Sequence, residues 1–303
     1  MLPMTINRLA LIICLLLAGN AQASLSVTQL IGFGAAAPAA PATMKSIISA
    51  LDLLGKTVLL VDVGDSDSYA GTGQTLTDVS GGTEYNLFRG ATASAATDDP
   101  TFVGADLASF FEHDGADFFR QTESLADFGA NEGDAFHKNN ATWTMLMWVY
   151  VPNTSGNDGL FGTSGGQSAN IGVTFKLDGT EKMELDVDAG GSRALSFKVD
   201  SGLSNSEWHL IAVSIDEATG SGGGFFWADG EYVQVSSADT FDASYSSPSS
   251  SAATHTLDVG SSGNGAQIIS NTFRVAAFVL FDDALTKANL DDIWDQTRAR
   301  FGK

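Results

Sequence analysis

From residue 57 to about residue 281 the chain is a succession of short apolar runs punctuated by Gly, Ser, Asp and Asn clusters, with no stretch that keeps helical spacing for an ordinary helix length. The runs at 142–151, 171–177, 183–187, 194–199, 208–215 and 225–227 are the clearest. Most of them alternate apolar with polar residues, as half-buried antiparallel strands do. Asp178-Gly179 and Asp229-Gly230 are hairpin-turn signals. An α/β fold would need helices between its strands, so the pattern predicts an all-β sandwich or jelly roll. Helical spacing survives only at the flanks. Ile47, Ile48, Leu51 and Leu54 predict a short helix that Gly55 ends, and Leu290, Ile293 and Trp294 share one face of a second near the C-terminus.

The first residues bear on compartment. Arg8 is the only charge before Ser24, it precedes an apolar run over 9–18 too short to span a bilayer, and Ala21-Gln22-Ala23 is a small-x-small cleavage pattern. The expectation is a signal peptide at 1–23, a Gly-, Ala- and Pro-rich linker with the short helix at 24–57, and one domain at 58–303. The product would be secreted, periplasmic or on the cell surface, with no membrane span after cleavage. Cys14, the one cysteine, would leave with the signal, so the mature chain would be held without disulfides. A 44% hydrophobic content supplies a core, and a net charge of −21 would repel a phosphate backbone, which argues against nucleic acid as a partner.

Several runs resemble landmarks of the LamG-like jelly roll, the concanavalin A-like lectin and glucanase sandwich. Residues 111–119 (FEHDGADFF) resemble its strand with an Asp-Gly turn followed by aromatics, and Trp143 to Val151 its "T-x-x-x-W-V" strand. Residues 207–216 (EWHLIAVSID) and 226–230 (FWADG) resemble "W-H-x-V-A-V-T-Y-D" and "L-Y-V-D-G". Residues 273–281 followed by Ala284-Leu285-Thr286 resemble the closing strand and the start of a short helix. Residues 62–82, 86–91 and 99–102 are further similar to LamG-like proteins encoded in phage and prophage clusters. The resemblance implies an antiparallel jelly roll, expected to act as a glycan-binding or adhesion module without catalytic activity; a glycan or cell-surface carbohydrate is the expected partner, and other protein subunits are further candidates. A phage-related virion structural or receptor-binding protein and a glycoside hydrolase are the alternatives.

Four catalytic patterns occur, each in the wrong context. Residues 50–57 satisfy a loose phosphate-loop expression but close a helix and open a strand, the reverse of a real one. Residues 162–166 have nucleophile-elbow spacing in a glycine-rich loop. Gly64-Asp65-Ser66 with Asp134 and His137 imitates the Gly-Asp-Ser-Leu esterases, which resemble a parallel α/β sandwich. Glu184-x-Asp186-x-Asp188 resembles the Glu-x-Asp-x-Glu strand of laminarinase-like hydrolases, which share this sandwich, but its last acid is shorter by one methylene and the remainder of their pattern is not evident; alternation puts its three acids on one strand face, and it is expected to be an acidic, solvent-facing strand rather than a catalytic one. No His/Cys spacing suits zinc. The family resemblance instead implies calcium, for which Asp114 and Asp117 are the candidate ligands. His209 and the tryptophans at 143, 148, 208 and 227 are expected in packing roles, leaving Tyr232 and Tyr245 as candidate sugar platforms. Asn140 and Asn153 open glycosylation expressions.

Overall fold

The structure, a computed structural model, describes residues 42–82, 85–122, 135–153, 156–235 and 237–303. The expected signal peptide, Cys14, nearly all of the linker and Asp134 lie outside the described residues. Internal contacts divide the chain into units of residues 1–40 and 41–303, and the described residues all belong to the second.

Its strands run in chain order as β1 (Thr57–Asp62), β2 (Thr75–Leu76), β3 (Leu87–Arg89), β4 (Thr101–Val103), β5 (Phe110–Glu112), β6 (Phe119–Gln121), β7 (Thr142–Val151), β8 (Asp158–Gly162) and β9 (Ile171–Leu177). They continue as β10 (Met183–Ala189), β11 (Arg193–Lys198), β12 (Glu207–Asp216), β13 (Ser221–Ala228), β14 (Glu231–Val233), β15 (Phe241–Asp242), β16 (Asp258–Val259) and β17 (Arg274–Phe281). The first sheet has the order β14-β13-β12-β7-β17-β5-β4, with β1 also on β17 and β15 on β13. The second is β11-β10-β9-β8-β16-β6-β3-β2. Every pairing between these strands is antiparallel, and the sheets enclose one large apolar core, the sandwich that the turn punctuation predicts.

The expected alternation fails in the middle of the first sheet. On β7, Trp143, Met145, Met147 and Val149 enter the core between the sheets, while Leu146 and Trp148 enter a second core on the opposite face. β12 divides likewise, with Ile211, Val213 and Ile215 inward and Leu210 and Ala212 outward. These strands read as continuous apolar runs because both faces are covered. The cover is helical: α1 (Met44–Ala50) supplies Met44, Ile47 and Ile48, and α2 (Lys287–Thr297) supplies Leu290 and Ile293. Thr43 caps α1 by accepting the Ser46 amide. The helix stops earlier than Gly55 predicts, because Asp52 takes the left-handed conformation at φ 59° and turns the chain first. Thr286 and Asn289 close a capping box at the start of α2, and Trp148 Nε1 donates to Thr297 Oγ1 at 3.1 Å near its end.

Both chain flanks meet at Asp62, a fully buried carboxylate at the end of β1. It accepts the first amide of α1, from Met44, at 2.8 Å and both terminal nitrogens of Arg300 at 2.6 and 3.1 Å. A bidentate guanidinium and an N-terminal amide together satisfy a charge that burial alone would not tolerate.

Candidate functional site

The outer face of the second sheet carries the acid strand. Leu185 and Val187 of β10 point into the core, so Glu184, Asp186 and Asp188 share the opposite face. Register sets basic and hydroxyl groups beside them: Lys176 of β9 and Lys198 of β11 flank Glu184, Ser196 faces Asp186, and Arg193 faces Asp188. Asp186 accepts from Ser196 Oγ at 2.7 Å, Arg193 Nη1 at 2.8 Å and Lys176 Nζ at 3.2 Å. Glu184 pairs with Lys176 at 3.1 Å and Lys198 at 3.6 Å. Asp188 has Arg193 Nε at 3.5 Å, and burial raises the pKa of its carboxyl group. The expectation of a solvent-facing acid strand is corrected here, since Asp186 and Asp188 are 0% exposed beneath cations from both neighbouring strands.

Retaining hydrolysis needs a free carboxylate for the anomeric carbon and a second carboxyl group that reaches the leaving oxygen. Asp186 holds three donors, and Asp188 offers no surface for a sugar to touch. Glu184 and Asp186 thus belong to a polar network of paired charges, while among the described residues the buried Asp188 carboxylate accepts no hydrogen bond and has Arg193 as its nearest cation.

An open cleft of about 260 Å³ lies elsewhere, between the loop after β1 and the loop joining β4 to β5. Tyr69 and Phe102 form its apolar wall, their rings 5.1 Å apart, and Ser66, Asp106 and Ser109 bring polar side chains. Its shape depends on close backbone approach: a Cβ on Gly64 would lie 2.5 Å from the Leu107 backbone, and one on Gly104, at φ 125°, would strike Ser109. Ser66 of the esterase-like motif lines this cleft, whereas buried His137 donates from Nε2 to the Ser251 carbonyl at 2.8 Å. Sequence reasoning missed the cleft because no motif spans its two loops; Gly64 and Gly104 are the nearest signal.

Asp114 and Asp117 meet in one tight turn. The Asp114 amide donates to Asp117 Oδ2 at 2.8 Å, Ala116 donates to Asp114 Oδ1 at 2.9 Å, and His113 Nδ1 donates to the Asp117 carbonyl at 3.0 Å. Burial pushes the Asp117 carboxyl up to about 6 and the His113 imidazole down to about 4. The two aspartates spend oxygens on the amides of their own turn, and among the described residues no group of three or more His, Cys, Asp or Glu side chains is arranged to hold a metal ion. As arranged, this turn does not fit the six to eight oxygen ligands that calcium takes.

The remaining candidates sort by burial. Tyr245 is corrected as a platform, because it is buried, accepts from Trp143 Nε1 at 3.1 Å and donates to the Phe136 carbonyl at 2.9 Å. Tyr232 is half-buried against Phe225, with Lys287 Nζ 5.8 Å from its ring centre. His209 has the expected packing role, held by Asp229 at 2.7 Å and the Ser204 carbonyl at 2.9 Å.

A family model described as the concanavalin A-like lectin/glucanases superfamily matches residues 128–290, more than half of the chain. No curated protein matches it in sequence. Among solved structures, Trypanosoma rangeli sialidase in complex with 2,3-difluorosialic acid is similar at a TM-score of 0.51 and 11% identity, over 82% of this chain and 34% of that one. The same sialidase in complex with 2,3-difluoro-KDN gives 0.51 and 10% over the same shares. The binding domain of botulinum neurotoxin serotype D gives 0.49 and 12%, over 81% of this chain and 52% of that one. The chain spans about a third of the sialidase it matches, and likeness at such identities establishes the fold.

Proposed function

The chain belongs to the concanavalin A-like lectin/glucanase superfamily, and from that premise we propose that it is an exported glycan-binding or adhesion module without catalytic activity. The observation that carries this reading is the acid strand, where the acids at hydrolase spacing are held by Lys176, Arg193, Ser196 and Lys198 and two of the three are fully buried. The cleft supplies recognition chemistry instead: the half-buried Phe102 ring for the apolar side of a sugar, with the exposed Asp106 carboxylate and Ser66 hydroxyl for its hydroxyl groups. Its volume suits one or two sugar rings of a longer glycan held at the surface.

The test is a glycan array probed with the purified protein, followed by affinity measurements on Phe102→Ala and Asp106→Ala. Each is expected to weaken binding about tenfold, as loss of one good contact does, while Glu184→Gln leaves it unchanged. Release of reducing sugar from a bound polysaccharide, lost in Glu184→Gln, would replace this reading with the hydrolase. The virion alternative draws on residues 62–82, and a gene neighbourhood of tail and capsid genes would favour it.

A further inference from the structure

Among the described residues, the lining of the cleft includes no Lys, Arg or His, and its exposed polar side chains are Ser66 and Asp106. The other polar side chains of its wall are spent within the fold. Tyr69 is buried and donates its hydroxyl to the Gly73 carbonyl at 3.2 Å, and buried Ser109 donates to the Asp106 carbonyl at 2.5 Å. Two arginines touch the loops of the cleft, and each of their nitrogens has an acceptor in the protein. Arg89 donates from Nε and Nη2 to the Pro100 carbonyl at 3.2 and 2.8 Å, and from Nη1 to the Gly73 carbonyl at 3.0 Å and the Tyr69 hydroxyl at 3.2 Å. Arg300, whose side chain is 2% exposed, donates from Nε to the Leu107 carbonyl at 2.8 Å and gives its terminal nitrogens to Asp62. Asp106 is the reverse case. Its Oδ1 accepts the Ala108 amide at 2.8 Å, which orients the carboxylate in the loop joining β4 to β5, and among the described residues it enters no ion pair.

We propose, resting on the glycan-binding reading of this cleft, that the site selects its sugars by charge. It prefers a glycan with a free amino group, whose ammonium pairs with Asp106; it takes the N-acetylated form less well and rejects glycans that carry carboxylates. A sugar hydroxyl can donate to the Asp106 carboxylate, but an ammonium donates to it and neutralises it as well. An acidic sugar would set a second carboxylate beside Asp106 with both nearby guanidinium groups already committed, on a chain of net charge −21. Because Asp106 is exposed, water screens the pair and the selection is a modest factor.

The experiment is calorimetry on the purified full chain at low salt and mildly acidic pH, where a sugar amine is protonated. Its ligands are an N-acetylglucosamine oligomer, the same oligomer freed of its acetyl groups, and a uronic acid oligomer of equal length. The amine should bind about two- to fivefold more tightly than the acetylated oligomer, the size of an exposed ion pair, and the uronic acid more weakly than either. Added salt should shrink the advantage of the amine. Asp106→Asn, which keeps an acceptor for the Ala108 amide, should bring the amine and the acetylated oligomer to equal affinity, whereas Asp106→Glu should keep them apart. A uronic acid bound as tightly as the acetylated oligomer would overturn the proposal and leave the glycan-binding reading standing. So would an amine preference that survives Asp106→Asn, which would belong to the net charge of the chain, or an equal loss of both oligomers in that variant, which would make Asp106 an acceptor and not a charge. Failure of all three ligands while a glycan array shows others would likewise overturn the proposal alone; a blank array would overturn both.

Discussion

His113 and Asp117 stand in one turn, and burial moves them in opposite senses, so each hides the other's effect on stability. Asp117 has a folded pKa of about 6, above its unfolded value, so its contribution is present below about pH 4 and is lost as pH rises through 6. His113 has a folded pKa of about 4, below its unfolded value, so the unfolded chain binds the extra proton and stability is gained as pH rises from 4 to 6.5. Asp117→Asn keeps an oxygen for the Asp114 amide and removes only the acid. The difference in Tm between this variant and the wild type should therefore grow in the variant's favour from pH 4 to 6.5; a constant difference would mean that Asp117 does not titrate there. Asp62 makes a second test at this scale. Removing Arg300 by Arg300→Ala leaves a fully buried carboxylate with backbone amides alone, and should cost about 3–5 kcal/mol in urea unfolding. A loss below 1 kcal/mol would show that water reaches Asp62. The acids of the β10 strand were legible as a spaced triplet, but their burial was not, because the cations that cover them come from strands paired with β10 only in the folded state.

Among the elements, the long strands and both helices could be read from hydrophobic spacing, and the short strands could not. β2 and β16 have two residues each and exist because neighbours pair with them; two residues carry no periodicity. The reading of β7 and β12 as half-buried failed for a definite reason: a run such as TWTMLMWVYV serves two cores, and only the position of α1 and α2 reveals the second. α2 has its own consequences. Leu290→Ala removes a fully buried side chain from the outer core and should cost about 2–5 kcal/mol, whereas Thr286→Ala removes only the cap and should cost about 1 kcal/mol. Equal losses from the two would mean that α2 forms independently of the sheet beneath it.

At the scale of the whole molecule, a net charge of −21 has to be carried by a fold whose described residues hold no disulfide-forming pair. The structure meets part of that load by setting Lys176, Arg193 and Lys198 among the acids of one sheet face. Export is proposed from Arg8, the apolar run after it and Ala21-Gln22-Ala23. N-terminal sequencing of the natively produced protein should then begin at or near Ser24, and recovery of intact Met1 protein from the cytoplasm would sink the idea. The clasp at Asp62 gives the domain a mechanical character as well. β1 and β17 are antiparallel, with Thr57 beside Phe281, so the chain enters one strand and leaves the other at the same end. Tension between α1 and the C-terminal turn would load the Asp62 carboxylate first and, once that yields, open the β1–β17 ladder one rung at a time rather than shear all its rungs together. An adhesion module pulled by both flanks would yield at low force, while one held by a single flank and its ligand would carry the load through the sandwich.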